Sequence, residues 1–155
     1  MRNFGQNTRY LFIFLGVFLL FSCTTTISAQ NAQISEVDKL VNLARAQVNT
    51  NLDSVTYFMD RAIEKAIESQ ETERTIHLFR EKGYYYEIYN RLEYAVGIYD
   101  QAKRHALKTK NTSALLDVYT DIAIANRKLG NYQETKTYHT LALKLAQKEN
   151  DLRGI

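Results

Sequence analysis

From Leu52 onward, apolar and small residues recur at intervals of three and four. Leu52, Val55, Met59 and Ala62 form one set; Leu92, Ala95, Tyr99 and Ala102 a second; Tyr132, Thr135, His139 and Ala142 a third. Each set lies forty residues after the last, and Ala66, Ala106 and Ala146 extend all three. Such spacing gathers a set on one face of an α-helix. Small residues alternating with large ones let a second helix approach that face closely. A helix precedes each set, most clearly over Leu116–Leu129, where Tyr119, Ile122 and Ala123 lead to Gly130. Glycine ends helices in the left-handed conformation. Asn90 holds the same place one period earlier, and asparagine also tolerates that backbone. The pattern predicts helices over 33–49, 52–69, 72–89, 92–109, 112–129 and 132–149, with no strand after residue 35. Proline is absent from all 155 residues, which suits a nearly continuous helical array.

The unit is therefore helix, tight turn, helix, repeated. It resembles the tetratricopeptide repeat. The residues carrying the resemblance are Phe79, Gly83, Tyr86, Leu92, Ala95, Tyr99 and Ala102 in one copy. In the next they are Tyr119, Ile122, Ala123, Gly130, Tyr132, His139 and Ala142. In an earlier copy, Leu40, Leu43 and Ala44 fit if the turn is one residue longer. The period is forty rather than the family's thirty-four, which implies longer helices; HEAT-like helical hairpins are the competing reading. The resemblance implies an all-α, right-handed α-solenoid with repeats over 33–70, 72–110 and 112–150. Residues 151–155 align with the first turn of a fourth repeat that breaks off.

Residues 81–90, EKGYYYEIYN, hold four of the chain's eleven tyrosines, Tyr84, Tyr85, Tyr86 and Tyr89, in one dense aromatic segment. On a helical wheel Phe79, Gly83 and Tyr86 face the helix's own hairpin partner. Tyr85 and Tyr89 lie beside Leu78, toward the preceding repeat. Tyr84 remains, with His77, Arg80, Glu87 and Ile88. In the family that last face lines a concave groove, and the third copy places Asp117, Thr120, Ile124, Arg127 and Lys128 there. These ten residues are the candidate ligand groove, suited by resemblance to a helical or extended peptide. The family's carboxylate-clamp variety needs lysine and asparagine in the first repeat's groove. Leu40 and Ala44 stand there instead, so no acidic C-terminal tail is expected to bind.

The N-terminus is of another kind. Arg2 and Arg9 precede an apolar run, Tyr10–Phe21, with no acidic residue nearby. The run is too short for a membrane span, which takes about 20 residues. A basic start and a short apolar core make residues 1–29 a secretory signal peptide, with an N-terminal anchor helix as the alternative. Two processing points are open. Ile27-Ser28-Ala29 offers a small residue and a mature chain from Gln30. Leu20-Phe21-Ser22-Cys23 resembles a lipoprotein lipobox, with Cys23 the lipidated residue. Cys23 is the single cysteine, so no intrachain disulfide can form. An exported, periplasmic or periplasm-facing protein is expected, tied to the membrane only by its leader or a lipid.

Charge and chemistry narrow the function. Setting Arg2 and Arg9 aside leaves 18 basic against 17 acidic residues, without the clustered basic face of a nucleic-acid binder. His77, His105 and His139 have no second ligand at metal spacing, and His139 falls at an inward, core position. Glu71 and Glu73 lie at a hairpin junction as solvated charges. No nucleophile motif or glycine-rich phosphate loop is present. The expectation is no enzyme and no cofactor, but a protein- or peptide-binding module. Exported arrays of this type resemble the sensory regions of histidine kinases and regulators of Bacteroidetes-type bacteria. A stand-alone periplasmic or lipid-anchored adaptor and a self-assembling structural repeat are the alternatives. Homo-oligomers through an uncapped final helix are a further expectation.

Overall fold

The computed structural model describes residues 35–153. The signal peptide, both cleavage points and Cys23 lie outside the described residues. Among the described residues six helices follow one another: α1 Glu36–Ala46, α2 Leu52–Glu68, α3 Thr72–Ile88, α4 Leu92–Lys108, α5 Thr112–Leu129 and α6 Tyr132–Arg153. No strand occurs among the described residues. The described residues form an all-α structure, and none of its helices is long and apolar enough to cross a membrane.

The turns explain the regularity. Gln70, Asn90, Lys110 and Gly130 all have positive φ. At each, the next residue's N–H reaches back five positions, from Glu71 to Ala66, Arg91 to Tyr86, Asn111 to Ala106 and Asn131 to Asn126. This is the Schellman closure, which satisfies carbonyls that the helix end leaves open. Asn90 and Gly130 suit the left-handed backbone; Gln70 and Lys110 adopt it too, without that sequence signature. The turn after α1 differs. Thr50 and Asn51 both donate to the Gln47 carbonyl, and the Asn51 side chain caps α2 by accepting from the Asp53 and Ser54 amides. Hence α1 ends at Ala46, short of the expected 49. At the other end α6 runs through Arg153, past the turn expected at residue 150. Gln147, Lys148 and Glu149 are good helix formers, and no glycine interrupts them.

Each helix packs on the next in sequence, and α3 also touches α5 directly. The repeated sets carry this packing. Val55, Met59, Ala62 and Ala66 in α2 are fully buried, as are Ala95, Ala102 and Ala106 in α4, with Tyr99 2% exposed. Gly83 of α3 meets the Tyr99 ring so closely that a Cβ there would lie 2.4 Å from it. Phe79 lies over His105, ring centroids 5.2 Å apart.

The expectation for His139 is overturned: it is exposed. Its counterparts Met59 and Tyr99 stand on helices that pack on a neighbour at both sides, whereas among the described residues α6 packs only on α5. Tyr132 is 72% exposed and Leu143 59% exposed on the same helix.

Candidate functional site

The tyrosine segment of α3 divides by helical phase. Tyr85 is buried, with its hydroxyl donating to Glu81 at 2.6 Å; burial and that bond push its pKa up to about 12. Tyr89 donates to the Val48 carbonyl at 2.7 Å, toward the preceding hairpin. Tyr86 is only half-buried and stacks on Tyr94 of α4, centroids 5.6 Å apart. Tyr84 is 57% exposed.

Tyr84 borders a cleft of about 670 Å³. Of the ten candidate groove residues, His77, Arg80, Tyr84, Glu87, Ile124 and Lys128 line it. Ile88, Thr120 and Arg127 do not. Asp117 is absent from the lining but bonds to a residue in it. The cleft also draws on Arg45, Arg74, Leu78, Glu81, Tyr99 and Asp121, which the face assignment did not include. Leu40 and Ala44, read as groove positions, lie elsewhere. Ala44 is fully buried and Leu40 packs against the core, because the phase of α1 turns them inward. Arg45 stands at the cleft in their stead, and Asp38 meets Arg74.

Ion pairs join the first helices of successive hairpins. Arg45 of α1 forks onto Glu81 of α3, with Nε and Nη2 donating at 2.8 and 3.0 Å. Arg74 of α3 pairs with Asp38 of α1. Arg80 of α3 donates to two α5 carboxylates, Asp121 at 2.6 Å and Asp117 at 2.7 Å. Lys128 of α5 pairs with Glu87 of α3, which also accepts the Tyr99 hydroxyl at 2.6 Å. The partners in these pairs are 36 to 41 residues apart. That is about one repeat period, and this spacing was the available signal for the missed residues. Charges of opposite sign one period apart, on the first helix of each hairpin, are brought face to face by stacking.

Burial sets the electrostatics. It pushes the Asp121 carboxyl upward, against the opposing pull of Arg80. It also raises Tyr99, aided by the bond to Glu87. His105, outside the cleft, is held below its ordinary value by burial and by Lys108 and Arg104. Among the described residues no cluster of histidine, cysteine and carboxylate side chains is arranged to hold a metal ion. The arrangement can offer a ligand one exposed ring, an aliphatic contact at Ile124 and polar edges.

No family model matches the chain, no curated protein matches it, and no solved structure matches it.

Proposed function

We propose that the chain is a non-enzymatic, exported module that binds a protein or peptide in the cleft beside Tyr84. In this reading its hairpins are of the tetratricopeptide type and stack as a right-handed α-solenoid, with α1, α3 and α5 lining the concave side. Repeat stacking of this kind creates extended concave surfaces suited to binding. The observation that carries the reading is the cleft itself: about 670 Å³, bordered by first helices of successive hairpins, with a large aromatic ring held in solvent. Exposed aromatic side chains are favoured contact residues. The leader supports export to the periplasm, with release at Gln30 or lipidation at Cys23. The module then serves as the sensory part of a signalling protein or as an adaptor in its own right.

A photo-crosslinking residue at position 84 tests the cleft. It is expected to capture a protein partner in the exporting host, whereas the same residue at Tyr57, 56% exposed on α2, captures none. Equal capture at both positions contradicts the reading. Cell fractionation with a labelled fatty acid tests the leader, since Cys23→Ala abolishes labelling only if the lipobox is used.

A second reading, a self-assembling repeat, is favoured by α6. Tyr132, His139 and Leu143 hold positions that α2 and α4 bury or half-bury, yet here they are exposed. Exposed apolar patches promote association, and head-to-tail contacts need not close. Light scattering over a concentration series tests it: Leu143→Glu should abolish any association, and association that survives the change rules α6 out.

A further inference from the structure

The charges around the cleft differ from those of a groove built to attract a charged ligand. Its four cationic heads are Arg45, Arg74, Arg80 and Lys128, and each is already paired within the protein. Their partners come from a neighbouring first helix in every case. Arg80 is held by two carboxylates, and the Glu87 side chain is 6% exposed between Lys128 and Tyr99. The fork of Arg45 on Glu81 uses the two-point geometry in which guanidinium binds carboxylate best. A charged ligand would have to displace one of these partners and leave another charge without its own. At Arg80, whose side chain is 23% exposed, and at Glu87, removing a partner leaves a partly buried charge unpaired, which a rim contact does not repay.

What the pairs leave open is largely apolar. Tyr84 is 57% exposed, Ile124 lies across the cleft on α5, and His77 is exposed on α3. We infer that the cleft selects an uncharged peptide segment bearing an aromatic or branched aliphatic side chain, and that it rejects acidic and basic peptides alike. The internal ion pairs act as the specificity device, by cancelling the attraction that bare arginines would exert. This inference rests on the peptide-binding reading proposed above and adds the chemical class of the ligand.

Three probes test it on the purified protein: a random peptide library, hexaglutamate and hexalysine. Enriched library peptides are expected to be uncharged and to carry an aromatic or branched aliphatic residue. Their affinity should be the same at about 0.05 M and about 0.5 M salt, a range over which exposed charge pairs become screened. Tyr84→Ala should weaken it at least about tenfold, as loss of a central aromatic contact does. Neither charged hexapeptide should bind. Glu81→Gln releases the Arg45 guanidinium at an exposed site, and this variant alone should gain hexaglutamate binding, lost again at high salt. If the unaltered protein binds hexaglutamate or hexalysine at the cleft, or if enriched peptides are charged and salt-labile, the inference is overturned while peptide binding stands. If no peptide of any composition is enriched, the peptide-binding reading falls with it.

Discussion

The interior of the α3–α4 hairpin and the cleft-facing seam of α1, α3 and α5 are held by different forces. Inside the hairpin, Gly83 admits the Tyr99 ring and the buried Ala102 lies on the same α4 face. The contact is close, dry and intolerant of a change in volume. Along the seam, α1 and α3 meet through the long side chains of Arg45–Glu81 and Arg74–Asp38. Those heads are substantially open to water, with the Arg45 side chain 58% exposed. Exposed pairs contribute roughly 0–1 kcal/mol each, whereas a large buried side chain contributes several times that. The fold therefore rests on hairpin interiors more than on the seam, and under the proposed function the seam's part is to set which ligands the cleft accepts.

Substitutions can break this contrast. Tyr99→Ala empties the centre of the α3–α4 interface and removes a hydrogen bond to Glu87, so it should cost about 3–5 kcal/mol in urea unfolding. A cost like that of a surface change would place the stability elsewhere. Ala102→Leu should cost about 1–3 kcal/mol by overpacking, as Ala102 is fully buried; an unchanged midpoint would show slack in the interface. Arg45→Ala should cost about 0–1 kcal/mol, with any loss vanishing in high salt. A cost comparable to that of Tyr99→Ala would mean that the seam carries the fold.

The smallest effect is one of pH. His105 has a lowered folded-state pKa, so the unfolded chain takes up its proton first as pH falls. Stability is then full above the unfolded value of about 6.5 and declines as pH drops below it. His105→Phe keeps a ring against Phe79 and removes the titration. Thermal unfolding at pH 7.5 and 5.5 should show a smaller decline for the variant than for the parent. An equal decline would assign the pH dependence to other groups.

The helices were legible because period and packing coincide. From α2 through α5 the bounds fall within a residue of those read from Leu52, Leu92 and their companions. The ends were less legible, since they depend on what packs beyond them. His139 repeats the position of Tyr99 in sequence but not in surroundings, and a pattern cannot show that no described helix covers it. The site was legible only in part. Helical phase identified Tyr84 as the exposed tyrosine and separated it from buried Tyr85. It did not bring Arg45, Arg74 or Asp121 to the cleft, because each meets a partner on another helix. Phase errors in α1 had the same origin: its longer turn shifts the register, and Leu40 and Ala44 moved from groove to core.

Tyr84 and Tyr85 are adjacent in sequence and fall on opposite sides of the division between cleft and interior. Alanine at each, measured for urea midpoint and for affinity toward one library-selected peptide, tests the account most directly. Tyr85→Ala should lose about 3–5 kcal/mol of stability, as a buried aromatic does. Tyr84→Ala should stay within about 0.5 kcal/mol of the parent and yet lose peptide affinity at least about tenfold. Equal losses of stability at the two positions, or full peptide affinity in Tyr84→Ala, would contradict it.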